Sequence, residues 1–303
     1  MLNEEYYALK EIPIFKLSSF NRLYAYLNEP KIIKKLIKYN NFVPNIIASF
    51  QDYDNLYLII KYYQGGSLYK YKNKIMSEEQ IKFISACIIQ SLTYLRREKI
   101  ISRDVKMNNI IMDKYKYFNL IDFSFSINYS DKNNLKKFLF ISPVESSPEA
   151  KNLKIYDYSS DYYGLGQIIH YLIFKKYINQ TKYNNNSEIV IDYNNIKNYS
   201  SSCIDFLNKL IIKDYKKRIG FNNINELKNH FWFKNFDWKK FENKKIKSPF
   251  KFIYKKNIHC AKFFKYISYK NLISNKSKKE SRIFISFIIF IYQILFKIKI
   301  NLN

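Results

Sequence analysis

Ser102-Arg-Asp-Val-Lys-Met-Asn-Asn109 and, thirteen residues past its last asparagine, Asp122-Phe-Ser124 are the two pieces on which the fold turns. They set a carboxylate (Asp104), an ammonium (Lys106) and an amide (Asn109) at steps of two and three, then a second carboxylate (Asp122). An isolated Arg-Asp or Asp-Phe is ordinarily a turn or a solvated pair, so the weight lies in the flanks. Upstream, Ser77-Glu-Glu-Gln80 is a capping-box pattern, and Ile81, Ile84, Ile88, Leu92 and Leu95 recur at three and four, which predicts a long helix to about Glu98. Between the two pieces, Asn109 to Met112 and Tyr117 to Ile121 are apolar runs separated by Asp113-Lys-Tyr-Lys116, which predicts a short hairpin. Both polar pieces therefore sit in loops at the ends of one hairpin.

Farther out, Tyr6 to Leu9 and Asn55 to Ile60 read as strands, the second after the turn-like Asp52-Tyr-Asp-Asn55. Asn28 to Tyr39, with Ile32, Ile33, Leu36 and Ile37 at helical spacing, reads as an amphipathic helix between them. Downstream, Asp161 to Phe174 is apolar on enough faces to predict a buried central helix, and Ser200 to Ile212 and Ile224 to Phe231 predict two more. Residues 176–199, rich in Asn, Lys and Tyr, read as a surface insertion. There is no internal repeat.

Composition narrows the classes. A chain of 303 residues with 47% hydrophobic and 18% aromatic residues can bury a core and is not of the disordered type. The net charge of +27 would suit nucleic acid or an anionic membrane. However, residues encodable by A/T-rich codons (Asn, Lys, Ile, Tyr, Phe) run along the whole chain, so a biased genome accounts for it, and no nucleic-acid partner is expected. The five glycines (Gly65, Gly66, Gly164, Gly166, Gly220) form neither a G-x-G-x-x-G nor a G-x-x-x-x-G-K-[ST] loop. Three scattered cysteines and three scattered histidines give no zinc pattern and no disulfide scaffold. With no signal-peptide order at the N-terminus, a cytoplasmic location is expected.

In its residue types, spacing and structural context, the Asp104, Lys106, Asn109 and Asp122 set resembles the catalytic loop and magnesium-binding D-F-G of the protein kinase family. The resemblance runs through nearly the whole chain. Tyr7-Ala-Leu-Lys10 is similar to the V-A-I-K strand, and Leu27-Asn-Glu29 supplies an acidic residue on the next helix. Leu58-Ile-Ile-Lys-Tyr-Tyr-Gln-Gly-Gly66 resembles the hinge; Ser147-Pro-Glu149 stands where A-P-E is found, and Arg218 where its salt-bridge partner lies. Asp161 matches the central-helix aspartate that accepts N–H bonds from the catalytic loop. Phe231 to Trp238, followed by Ser248-Pro-Phe250, resembles the start of the C-terminal tail of the cyclic-nucleotide-dependent (AGC) group, with Phe263 to Tyr269 as a candidate for its later hydrophobic motif.

The resemblance implies an α+β bilobal protein-kinase-like fold with a truncated small β lobe (1–64), a mainly helical large lobe (65–236) and a tail (237–303). It implies ATP and Mg²⁺ as cofactors and a Ser or Thr hydroxyl of a protein as substrate; Lys106 is the Ser/Thr-type residue. In the implied roles, Asp104 is the base, Lys106 meets the moving phosphoryl group, and Asn109 and Asp122 hold the metal. Lys10, paired with Glu29, holds the α- and β-phosphates; the backbone near Lys61 and Tyr63 bonds adenine, and Ala8 and Ile111 sandwich the ring.

Several positions depart from the pattern. No glycine precedes Gly65 and nine residues precede Lys10, so the family's Gly-rich loop is missing from this sequence. Ser102 replaces the usual His, which should loosen the stack on the D-F-G phenylalanine. Ser124 replaces the D-F-G glycine, which would cost about 1 to 3 kcal/mol if the site needs positive φ. Lys136-Lys-Phe-Leu-Phe140 stands where an activating threonine is expected, with Ser142 at the substrate-facing position beyond. Ser67 and Asn108 stand where basophilic members carry Glu, so a preference for basic substrates does not carry over. These departures motivate the alternative reading, an inactive pseudokinase scaffold. Residues 283–296, nearly all apolar, number 14, fewer than the roughly 17 to 25 of a spanning helix. Packing is the favoured reading there, and membrane attachment the minor one. No regulatory partner is named by the sequence.

Overall fold

The computed structural model describes residues 7–17, 20–39, 41–130, 146–178, 198–251 and 264–267. The positions 136–140 and 142, most of the insertion at 176–199, and the apolar stretch 283–296 lie outside them.

The small lobe is built on β1 (Tyr7–Pro13), β2 (Ile46–Gln51) and β3 (Asn55–Lys61). β1 pairs antiparallel with β3, with Lys10 opposite Leu58 and Ala8 opposite Ile60, and β2 pairs with the other edge of β3. The β2–β3 turn is closed by Asp52, whose carboxylate accepts from the Asp54 and Asn55 N–H groups at 2.9 and 2.7 Å. Helix α1 (Phe20–Leu36) lies between β1 and β2; it begins eight residues before the expected start and contains Pro30. Proline lacks an N–H and weakens helical signals in the sequence, which hides the first turns. Ile32, Ile33 and Leu36 of α1 are buried as the periodicity requires, but Ile37 falls in the 3-10 turn that follows and is exposed.

In the large lobe, a two-residue strand β4 (Gly66–Ser67) precedes α2 (Glu78–Arg97). The Ser77 side chain accepts from the Gln80 N–H and Gln80 answers the Ser77 N–H, so the capping box is complete. Three short strands follow: β5 (Ile100–Ile101), β6 (Ile110–Met112) and β7 (Phe118–Leu120), and after them β8 (Ile127–Asn128). β6 and β7 form the expected hairpin, with β4 on its open side. β5 pairs with β8.

The remaining helices are α3 (Pro148–Asn152), α4 (Tyr158–Phe174), α5 (Ser201–Leu210), α6 (Asn225–Asn229) and α7 (Trp238–Glu242). α4 is capped reciprocally by Asp157 and Ser160, and its Leu165, Ile168 and Ile169 are wholly buried. A single core cluster runs from Leu58 and Leu36 through α2 and α4 to Trp232 and Phe250, so the sheet part and the helical part share one hydrophobic interior. β9 (Phe264–Ile267) pairs with β1, giving a sheet order β2-β3-β1-β9 with Lys10 opposite Phe264. It covers the edge of β1 that would otherwise offer unpaired N–H and C=O groups. Among the described residues no helix is long and apolar enough to cross a membrane.

Candidate functional site

Two short ladders hold the polar loops together. β5 pairs with β8, tying the start of the 102–109 loop to the end of the 122–126 turn. At the other ends, the Ile121 N–H donates to the Asn109 carbonyl at 2.8 Å. The four charged or amide side chains singled out in the sequence are thus presented by two loops stapled at both ends.

Within the first loop, Asp104 is buried. Its Oδ1 lies 2.8 Å from Lys106 Nζ, and its Oδ2 accepts from Asn109 Nδ2 at 2.7 Å. Asn109 Nδ2 also donates to the Asp104 carbonyl at 3.0 Å, which commits the amide nitrogen and leaves the amide oxygen as its acceptor atom. Burial pushes the Asp104 carboxyl above its usual range, against the pull of the Lys106 ammonium. Behind the loop, the Asp161 carboxylate of α4 accepts from the Ser102 and Arg103 N–H groups at 2.7 and 2.9 Å. Arg103 is left-handed, at φ 66°, and its guanidinium stacks 4.1 Å from the centroid of Tyr156. A small cavity of about 30 Å³ lies beside it, lined by Asp104, Ser147, Tyr156 and Asp161 among others.

The second group gathers around Lys10 of β1. Its Nζ is 2.7 Å from Glu29 Oε2 and 3.1 Å from Asp122 Oδ1. Burial opposes the ammonium charge, but the Glu29 and Asp122 carboxylates outweigh it and hold the Lys10 pKa above its ordinary value. For Asp122 burial likewise disfavours charge, and Lys10 together with Ser124 brings its pKa down to about 2. Glu29 Oε1 also accepts from the Phe123 N–H at 3.2 Å, and the neighbouring Asn28 Nδ2 donates to the Ser126 carbonyl at 2.8 Å. Helix α1 is thereby docked on the turn that carries Asp122.

The glycine substitution at position 124 plays out differently from the sequence expectation. The left-handed residue of the turn is Asp122, at φ 63°, and Ser124 is not among the positive-φ residues. The expected strain at Ser124 is absent; its Oγ donates to Asp122 Oδ1 at 2.7 Å instead. Ser102, in place of histidine, is fully buried, and Phe123 is fully buried with it.

Of the residues expected to meet adenine, Lys61 ends β3 and Tyr63 lies in the segment after it. The Lys61 N–H donates to the Asn45 carbonyl at 3.2 Å, and the Tyr63 carbonyl accepts from Gly66 at 3.4 Å. The Tyr63 N–H makes no hydrogen bond among the described residues. Ala8 and Ile111 are both half-buried, on β1 and β6, the strands that flank this segment. Lys10, Glu29 and Asp122 are therefore in one ion cluster, Asp104, Lys106 and Asn109 in a second, and the hinge residues bond to neither.

Oxygen donors dominate both clusters. No group of three or more His, Cys, Asp or Glu suited to a metal cage is present among the described residues. One carboxylate (Asp122) and one amide oxygen (Asn109), hard donors beside a bound lysine, fit a cation that completes its shell with phosphate oxygens and water, as Mg²⁺ does. Sequence reasoning missed the hydrogen bonds of Asn28, Ser124 and Ser126. Each contributes a hydrogen bond across about a hundred residues or within a turn, where no spacing rule applies.

A model of the protein kinase domain matches residues 2–233 of the chain. A probable serine/threonine-protein kinase of Dictyostelium discoideum is 30% identical over 253 residues, covering 82% of this chain and 55% of that protein. The cAMP-dependent protein kinase catalytic subunit of Schizosaccharomyces pombe is 27% identical over 259 residues, 82% of this chain and 49% of that protein. The serine/threonine-protein kinase Sgk1 of Xenopus tropicalis is 28% identical, covering 82% and 60%. The chain spans about half the length of the curated relatives it matches.

Proposed function

The chain belongs to the protein kinase domain family, and on that premise we propose that it transfers the γ-phosphoryl group of ATP to a serine or threonine hydroxyl of a protein. The observation that carries this reading is the pair of ion clusters on the two stapled loops, Lys10–Glu29–Asp122 and Asp104–Lys106–Asn109. Phosphoryl transfer asks little covalent chemistry of a protein; it needs positioning and charge compensation, which these clusters supply.

In this reading Asp104 accepts the proton of the acceptor hydroxyl as its oxygen bonds to the γ-phosphorus. The bond from that phosphorus to the β–γ bridging oxygen breaks, and ADP leaves. Lys106, beside Asp104 Oδ1 at 2.8 Å, supplies positive charge to the moving phosphoryl oxygens. Lys10 holds the α- and β-phosphates, and Glu29 fixes the position of its ammonium. Asp122 and the Asn109 amide oxygen would hold Mg²⁺, which would supply positive charge to the phosphates. Backbone groups at Lys61 and Tyr63 bond adenine between Ala8 and Ile111. We take 1–64 as the small lobe, 65–236 as the large lobe and 237–303 as a tail. The serine/threonine-kinase names of the relatives support the choice of acceptor.

The test is transfer of labelled γ-phosphate to a mixed Ser/Thr peptide pool in the presence of Mg²⁺, followed by phosphoamino-acid analysis. Phosphoserine or phosphothreonine is expected, with loss of about 10² to 10⁴-fold in Asp104→Asn. Equal transfer by the two proteins, or phosphotyrosine alone, overturns the reading. Partner capture with no turnover would favour the scaffold alternative.

A further inference from the structure

Residues 55–77 contain Lys61, Lys70, Lys72 and Lys74 and not one Asp or Glu. This segment borders the first ion cluster. Gly66 and Ser67 of β4 pair with Met112 and Ile111 of β6, and the 3-10 turn Leu68–Tyr71 that follows packs on the 3-10 turn Met107–Asn109. The lysines of the turn and its exit therefore stand beside the loop that bears Asp104 and Lys106.

Their ammonium groups are held at the surface by uncharged partners. Lys70 Nζ folds back over Gly66, where it would lie 2.6 Å from a Cβ at that position; Gly66 is left-handed at φ +68° and leaves the space open. Lys72 Nζ bonds the Tyr69 hydroxyl at 2.8 Å and sits 4.3 Å from its ring centroid, and Lys74 Nζ lies over the Tyr71 ring. A fourth cation reaches the same rim from α4, whose C-cap residue Lys175 donates to the Lys74 carbonyl.

Three carboxylates around this segment are already engaged. Asp104 is taken by Lys106 and Asn109, Asp113 by Lys244, and Glu78 by Ser200 and Trp232. Three exposed lysines elsewhere pair with carboxylates: Lys38 with Glu98, Lys209 with Asp205 and Lys240 with Asp237. Lys70, Lys72 and Lys74 pair with no carboxylate among the described residues, and it is their place beside the loop of Asp104 and Lys106 that sets them apart from the chain's other lysines.

We infer that Lys70, Lys72 and Lys74, with Lys175, form the docking rim for an anionic flank of the protein substrate, so that preferred acceptors carry carboxylate or phosphoryl side chains next to the modified Ser or Thr. This rests on the kinase reading above and names the substrate class of that same site. Complementary charge around a cleft raises local substrate concentration and encounter rate, and salt screens it.

The experiment compares one Ser-containing peptide with aspartate, phosphoserine, alanine or lysine flanks, in turnover and, by fluorescence anisotropy without ATP, in binding. The aspartate or phosphoserine peptide should show kcat/KM about tenfold or more above the alanine peptide at low salt, mostly through KM, the two anionic arms telling which source serves better. In Lys70→Glu/Lys72→Glu/Lys74→Glu the ratio of anionic to neutral peptide should fall to about one, and Lys72→Gln should move it partway. Equal use of all four peptides, a preference for lysine flanks, or an anionic preference that survives the triple variant overturns the inference. Displacement of the aspartate peptide by duplex DNA at equal affinity also overturns it. No turnover of any peptide, with anionic-peptide binding that the triple variant loses, would instead overturn the kinase reading and leave the rim standing.

Discussion

Lys10 stands between two carboxylates, with its ammonium 2.7 Å from Glu29 and 3.1 Å from Asp122. Removing it would leave Glu29 buried without its counter-charge, and breaking one side of a buried pair costs about 3 to 5 kcal/mol. Lys10→Met should therefore lower stability in urea titration by an amount of that order. Lys10→Met/Glu29→Leu should recover part of the loss, because both charges are gone. If the double variant is no more stable than the single one, the pair is not coupled in this way. Ser124 acts more modestly. Its hydroxyl donates to the charged Asp122 Oδ1 at 2.7 Å, and a bond to a charged group is worth about 1.5 to 3 kcal/mol. Ser124→Gly should thus destabilise the chain by up to that amount in the same titration, whereas relief of strain at position 124 would have stabilised it.

At the scale of elements, what decides the site is how α1 and the short strands meet the two loops. Asn28 and Glu29 place α1 on the turn that carries Asp122, through bonds to the Ser126 carbonyl and the Phe123 N–H. β9 closes the β1 edge opposite Lys10. A chain ended after Lys251 should expose that edge and speed hydrogen exchange at the amides of Tyr7 to Lys10, while α2 stays protected; unchanged exchange in β1 would show that β9 does not hold it. The sequence told the local elements well. Ser77 and Gln80 announced α2, Asp113-Lys-Tyr-Lys116 announced the hairpin, and the spacing of Asp104, Lys106, Asn109 and Asp122 announced the loops. β2 was not legible, because its burial alternates only partly, and neither was the start of α1 ahead of Pro30. The bonds of Asn28, Ser124 and Ser126 and the β1–β9 pairing were also hidden: they depend on which backbone groups arrive nearby after folding, and no periodicity encodes that.

Across the whole molecule, the Glu149–Arg218 pair ties α3 to the loop after α5. Arg218 donates to both Glu149 oxygens at 2.8 and 3.0 Å and to the Ser159 carbonyl at 2.7 Å, with both side chains buried. Arg218→Leu should cost about 3 to 5 kcal/mol, and Glu149→Gln/Arg218→Leu less than that. Burial works against the charge of Glu149, and the bonds from Arg218 outweigh it, so its carboxyl is held below the usual range. A carboxyl with a lowered folded pKa contributes stability that is present above its unfolded value of about 4.3 and is lost as pH falls through the folded one. Urea titrations should accordingly show stability falling below about pH 4.3, with a shallower acid slope in Glu149→Gln/Arg218→Leu. An identical slope would place the acid sensitivity elsewhere. The most direct measurement of all is calorimetric titration of the chain with ATP, with and without Mg²⁺, for the native sequence and for Asp122→Asn, whose asparagine tolerates the left-handed backbone at that position. If the two ion clusters hold a metal-bound triphosphate, ATP binds the native chain more tightly with Mg²⁺ than without, and Asp122→Asn loses that difference. Binding that ignores Mg²⁺, or a Mg²⁺ effect undiminished in Asp122→Asn, would contradict it.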